Sequence, residues 1–97
     1  MVMVTLRYWA AAREAAGVAE EKVSADTLAG ALAAALAARQ EAALVAAPAG
    51  DGAGRLRRIL GRSSFLIDGD PVGRRDPASV TLAEAVVIEV LPPFAGG

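Results

Sequence analysis

Two segments with alternating apolar residues, one near each end of the chain, constrain the fold more than any other feature. In residues 2–9 the alternation predicts a strand whose core face carries Val2, Val4, Leu6 and Tyr8. In residues 86–91 it predicts a strand whose core face carries Val86, Ile88 and Val90. Trp9 and Leu91 then lie on the outer faces of their strands. A fold for these 97 residues must bury one face of a sheet that contains both strands.

Between the two strands lies the main predicted helix. Its apolar stripe recurs at helical spacing and comprises Leu28, Ala31, Leu32, Ala35 and Leu36. Asp26 or Thr27 is suited to cap its N-terminus, and residues 40–47 can extend it.

The remaining segments are short. They are a helical turn at 10–17 stopped by Gly17, a strand at 20–25, a loop at 47–54, a helical turn at 55–61, and a strand at 65–67 before an Asp68–Gly69 hairpin turn. If the first and last strands pair in parallel, this order predicts an α+β fold, the ubiquitin-like β-grasp, with a mixed sheet packed on one main helix. We expect the domain to span residues 1–91 and an extended tail to span 92–97.

Composition excludes several classes of protein. The chain has no cysteine and no histidine, which removes disulfides, thiol chemistry, the commonest metal ligand and the commonest general base. A net charge of −1 gives no attraction to nucleic acid or anionic lipid. No apolar run approaches the roughly 20 residues of a membrane helix, and the first residues lack a secretion signal. We expect a cytoplasmic protein that binds no nucleic acid, no membrane and no metal.

Two sets of charged residues have simple structural interpretations. Asp68, Asp70 and Asp76 fit turn chemistry better than a metal site. The arginines form a larger set, which comprises Arg55, Arg57, Arg58, Arg62, Arg74 and Arg75. These arginines form either a solvated face or a surface that docks on an acidic partner.

The segment LPPFAGG, residues 91–97, is the main candidate for a functional site. Pro92 and Pro93 favour an extended course, so the segment can reach about 20–25 Å. Gly96 and Gly97 lack a Cβ and can pass through a narrow channel in a partner protein. The carboxylate of Gly97 is then the predicted reactive group.

An apolar docking surface is expected where the tail leaves the domain. A lone tryptophan such as Trp9 can simply be a core residue, but the alternation places it on the same outer face as Leu91 if their strands pair. Phe94 can anchor the tail, and Ala95 is small. The predicted partner-binding residues are Trp9, Leu91, Pro92, Pro93, Phe94 and Ala95.

Three stretches of the chain resemble the ubiquitin-like sulfur carriers, and most closely the type that forms the small subunit of molybdopterin synthase (MoaD). They are LRYWAAAREAAG at 6–17, FLIDGDPV at 65–72 and VLPPFAGG at 90–97. The family usually carries a Gly-Asp pair at the entry to the last strand. Ala85 and Val86 stand there in this sequence, so the turn must be built differently.

The resemblance implies that this chain is not an enzyme on its own and binds no intrinsic cofactor. An adenylating enzyme of the ubiquitin-activating type would use ATP to adenylate the Gly97 carboxylate. Sulfur would then replace AMP to leave a thiocarboxylate, with Gly96 beside it. The large catalytic subunit of molybdopterin synthase would hold the pterin precursor that accepts the sulfur, in the biosynthesis of the molybdenum cofactor.

Two alternatives use the same tail. The chain could carry sulfur for thiamin or cysteine biosynthesis, which the partner protein would reveal. It could also be a ubiquitin-like modifier that joins its terminus to lysines of other proteins. Lys22 is the only lysine of the chain, which makes self-linked polymers a poor prospect.

Overall fold

The computed structural model describes residues 1–45 and 52–93, with side chains at 1–39 and 54–93. In chain order the elements are β1 (Val2–Tyr8), α1 (Ala10–Ala16), β2 (Glu20–Ala25), α2 (Leu28–Val45), α3 (Gly52–Leu60), β3 (Ser64–Ile67), β4 (Asp70–Pro71), a 3₁₀ helix (Pro77–Ser79) and β5 (Val86–Leu91). Within these ranges no helix is long and apolar enough to cross a membrane.

The five strands form one mixed sheet in the order β2-β1-β5-β3-β4. β1 and β5 pair in parallel at its centre, with Tyr8 opposite Val90, and the other neighbouring strands pair antiparallel. A parallel pair needs a long crossover, and here the connection from β1 to β5 contains all three α-helices. The predicted β-grasp fold, with parallel first and last strands, is confirmed.

The helices cover one face of the sheet and leave the other face to solvent. The fully buried core combines strand and helix residues, which include Val4, Leu6, Ile88, Val90, Leu28, Ala31, Ala35 and Leu56. Leu32 and Leu36, predicted on the same stripe of α2, are only half-buried. Because Ala31 and Ala35 are small, α2 can approach the sheet closely along them, and the two longer leucines lie at the edge of the contact.

Turn and cap residues largely follow the local signals. Gly17 ends α1 at φ 82° and donates its N–H to the carbonyl of Arg13. Asp68 and Gly69 both have positive φ values, 49° and 89°, as a two-residue hairpin turn requires. Thr27 caps α2, since its Oγ1 accepts the N–H of Gly30 at 3.0 Å.

The predicted loop at 47–54 is wrong for residues 52–54, because α3 begins at Gly52. Residues 46–51 lie outside the described residues. Glycines disfavour a helix locally, but Leu56 and Leu60 of α3 are buried in the core. Tertiary packing therefore stabilises a helix that propensity alone does not predict. β1 also ends one residue early, at Tyr8, because Trp9 begins the turn into α1.

A side chain from the β3–β4 turn supports the entry into β5. The Oδ1 atom of Asp68 accepts the N–H of Val87 at 3.0 Å, and the N–H of Asp68 donates to the carbonyl of Val87 at 2.9 Å. These two hydrogen bonds join the hairpin to the start of β5, where the sequence lacks the usual Gly-Asp pair. They fix the position of the first residues of β5, the strand that leads to the tail.

Candidate functional site

Strand β5 leads to the last described residues from the centre of the sheet. It is hydrogen-bonded to β1 on one side and to β3 on the other. The carbonyl of Val90 accepts the N–H of Trp9 at 3.3 Å, and Pro92 has no N–H with which to continue the ladder. We call residues 91–93 the tail root. Hydrogen bonds to strands on both sides therefore fix the backbone of β5 as far as the tail root.

Trp9 lies beside the tail root in a sharp strand-to-helix turn. It is extended, with φ −121° and ψ 150°, and its carbonyl accepts the N–H of Ala12 at 3.0 Å to begin α1. Ala10 follows at φ 49°, a left-handed conformation that is uncommon for a residue with a Cβ. The Trp9 side chain is 45% exposed, as the alternation predicted.

Leu91 is the second apolar residue at this end of the sheet. Tyr8 is opposite Val90. Trp9, in the turn after β1, and Leu91, the last residue of β5, each follow this pair by one position. Leu91 is half-buried, and its alternation with the buried Val90 places it on the outer face. Two apolar side chains thus lie next to the point where the tail leaves the domain.

A charged row limits this apolar surface. The strand register aligns Arg7 with Glu20 of β2 on one side and with Glu89 of β5 on the other. All three side chains are on the outer face, one basic residue between two acidic ones. Leu66 of β3 is aligned with Glu89 at the end of this row. The charged side chains therefore border the apolar surface that Trp9 and Leu91 form near the tail.

The tail root also borders a groove on the helical side of the domain. Pro92 is buried and Pro93 is exposed. The groove has a volume of about 510 Å³ and is lined by Ala11, Arg55, Arg58, Ile59, Arg62, Pro92 and Pro93. We call it the arginine groove, because apolar side chains line its interior and exposed arginines border it.

Four predicted site residues lie outside the described residues. They are Phe94, Ala95, Gly96 and Gly97. Their predicted roles in anchoring and chemistry stay predictions. The described part of the site brings Trp9, Leu91 and the two prolines together at one end of the domain.

Sequence reasoning missed a largely buried polar cluster that joins four elements. The Tyr8 hydroxyl donates to Oε2 of Glu21 at 2.5 Å, and a guanidinium nitrogen of Arg39 lies 2.7 Å from the same oxygen. Arg39 also donates to the carbonyls of Ala16, at 2.9 and 3.2 Å, and of Ala35, at 2.8 Å. The cluster therefore ties α1 and α2 to β1 and β2, directly behind the strand that precedes Trp9.

The signal for this cluster is present in the sequence. Glu21 alternates with Val23 and Ala25 and so shares the core face of β2. Arg39 follows Ala35 by one helical turn on the buried face of α2. A charged residue on the buried face of each of two elements predicts an ion pair, because an unpaired buried charge is costly.

This cluster predicts a specific loss of stability at alkaline pH. Burial, and then the hydrogen bond to the Glu21 carboxylate, raise the pKa of Tyr8 well above its usual value, while Arg39 opposes the shift. The unfolded chain therefore loses this proton first, and stability falls above about pH 10 by up to about 1.4 kcal/mol per pH unit. In Tyr8→Phe this component is absent, so its stability should change less between about pH 9 and about pH 11 in urea titrations.

Tyr8 is the only tyrosine, so the difference between the two proteins reports this group alone. All other ionisable groups are the same in both proteins, so their contributions cancel in the comparison. Equal alkaline slopes for Tyr8→Phe and the wild type would contradict the assignment.

The aspartates of the β3–β4 region act in turns and caps. Asp68 accepts the N–H of Val87, and Oδ1 of Asp76 accepts the N–H of Ala78 at 3.0 Å at the start of the 3₁₀ helix. In the part of the chain that the structure describes, no group of three or more acidic residues could hold a metal ion.

Comparison of the sequence with known protein families identifies one family that matches this chain. The ThiS family matches residues 6–97, nearly the whole chain. The protein belongs to this family of ubiquitin-like sulfur carriers. No curated protein matches the chain at a significant level.

Solved structures share the fold over the full length. Small archaeal modifier protein 1 from Methanosarcina acetivorans is 24% identical, with a TM-score of 0.69 over 100% of this chain and 98% of the other. The same modifier from Haloferax volcanii is 20% identical, with a TM-score of 0.65 over 98% and 99%. A chain in the complex of subunits 1 and 2 of the molybdopterin-converting factor of Helicobacter pylori is 22% identical, with a TM-score of 0.56 over 98% and 99%.

Proposed function

We propose that this protein is the sulfur-carrying small subunit of a molybdopterin synthase, with the carboxylate of Gly97 as its working group. Membership of the ThiS family supports the sulfur-carrier role. The observation that carries the proposal is the position of β5, a central strand that ends beside the exposed Trp9. A tail that starts from a rigid strand can be presented to a partner at a defined angle.

The proposed chemistry takes place at the carboxylate of Gly97, in two steps. A Gly97 carboxylate oxygen attacks the α-phosphorus of ATP, and pyrophosphate leaves to give an acyl adenylate. A sulfide-equivalent nucleophile then attacks the carbonyl carbon, the bond to AMP breaks, and a thiocarboxylate remains. The adenylate is sensitive to water, so both steps need the tail inside a partner's site.

The residues at the tail root suit a tail that enters the site of a partner protein. Pro92 is buried against the domain and Pro93 is exposed. Both prolines restrict the backbone and so lower the entropy lost when a partner takes up the tail. The apolar pair Trp9 and Leu91 offers a contact surface next to the entry point.

Two partners follow from the proposal. An adenylating enzyme of the ubiquitin-activating type would supply the ATP chemistry, and a large catalytic subunit would hold the sulfur acceptor. The solved complex of subunits 1 and 2 of a molybdopterin-converting factor contains a chain with this fold, which supports a partner of the second kind.

Intact-mass measurement tests the proposal. The full chain, incubated with an adenylating enzyme of this type, ATP and a sulfur donor, should gain the mass difference between one sulfur and one oxygen atom. The gained sulfur should then be lost on addition of the large subunit and the pterin precursor. A chain that never gains this mass is not a sulfur carrier.

Two further measurements separate the alternatives. If the loaded chain transfers sulfur only with a thiazole-synthase-like or cysteine-synthase-like partner, the pathway is thiamin or cysteine biosynthesis. The shared fold with small archaeal modifier proteins makes protein modification a second candidate. A Gly-Gly remnant on lysines of other proteins, present only when this chain is expressed, would support that function.

A further inference from the structure

One segment of the chain concentrates its positive charge. Residues 52–67 contain four arginines and no acidic residue, a formal charge of +4, whereas the whole chain carries −1. The rest of the chain therefore carries −5. The surface near this segment therefore has a positive potential, because the negative charges elsewhere on the protein are screened over about 10 Å.

Three of these arginines share one face of α3 and its extension. Arg55, Arg58 and Arg62 follow a helical spacing, and Arg62 continues the course by donating its N–H to the carbonyl of Ile59 at 3.0 Å. Leu56 and Leu60 point into the core and so fix the orientation of this face. The three guanidinium groups therefore border the arginine groove together.

The arginine groove is continuous with the tail root. Pro92 and Pro93 line it together with the three arginines. A partner that receives the tail must therefore bring the entrance of its own site against these arginines. Glu14 lies 3.6 Å from Arg55, and both side chains are largely exposed.

We propose that the arginine groove is an electrostatic docking surface for acidic residues at the tail entrance of the adenylating enzyme. The inference rests on the proposed function and adds the charge of the partner surface. Arg55 and Arg62 are seven positions apart along α3 and the turn that follows it, about 10 Å at the helical rise, which fits a protein surface better than a single small anion. Exposed charges of this kind steer association and orient the tail more than they add affinity.

The test compares two double charge reversals. Arg55→Glu with Arg62→Glu changes the arginine groove. Arg57→Glu with Arg74→Glu changes the net charge equally on exposed side chains that line a separate groove beside α2. At low salt the first variant should lower kcat/KM for ATP-dependent sulfur loading about tenfold. The loss should lie in KM rather than in kcat.

Salt separates steering from a folding defect. Wild-type KM should rise with ionic strength, and KM of the groove variant should change little, because the steering charges are gone. Both variants should match the wild type in thermal unfolding. If the wild type loads sulfur and both variants respond alike, the docking inference is wrong and the proposed function stands. If the wild type loads no sulfur, the docking inference and the proposed function are both wrong.

Discussion

Removal of Gly97 will abolish sulfur loading while the domain remains folded. The shortened chain still ends in a glycine carboxylate, but the carboxylate is displaced by about 3.5 Å from the reacting centre of the partner. Displacements of about 1 Å can cost about 100-fold in rate, so the expected loss exceeds 100-fold. Intact mass after incubation with the adenylating enzyme, ATP and a sulfur donor measures the result.

A chain extended by one glycine after Gly97 is the matched variant. It keeps every residue of the wild type and moves the carboxylate by a similar distance in the other direction. Both variants should unfold at the wild-type temperature, because the buried core lies between Val4 and Val90. Normal sulfur loading of either variant would contradict the prediction, because it would show that loading does not depend on the exact position of the carboxylate.

Arg39→Met will cost about 3 kcal/mol of unfolding free energy, because it breaks a largely buried ion pair. The substitution leaves Glu21 as a largely buried carboxylate without its cation and frees the carbonyl of Ala16. For a domain of this size the midpoint of thermal unfolding should fall by roughly 15 °C. Circular dichroism in urea and on heating measures both quantities.

Arg55→Met is the control for this prediction. It makes the same chemical change at an ion pair whose side chains are 53% and 73% exposed, so it should cost less than about 0.5 kcal/mol. Adding Glu21→Gln to Arg39→Met should recover part of the loss, since the buried charge is then removed. Equal costs at Arg39 and Arg55 would mean that the cluster does not stabilise the fold.

The strands and the main helix were predictable because their signals are local. Val86–Leu91 has the predicted bounds, and Asp68–Gly69 forms the predicted turn. The alternation of apolar residues in a strand, and their spacing of three to four residues in a helix, follow from the geometry of a single element. The exposure of Trp9 followed from the same alternation.

The start of α3 and the partners of Arg39 were not predictable in this way. Gly52 and Gly54 precede Leu56 in α3, and their local preference opposes the helix that packing stabilises. The carboxylate at Arg39 comes from Glu21, on another element. Such pairings depend on how separate elements pack together.

The sequence by itself determined the order of elements, the core face of each strand and a tail suited to threading. These properties arise from side chains a few residues apart. Only the tertiary structure decided that Pro92 is buried, that Trp9 lies beside Leu91 and that three arginines of the α3 segment border the tail root. The physical reason is that the parallel pairing of β1 with β5 and the burial of Leu56 and Leu60 bring together residues that are distant in sequence.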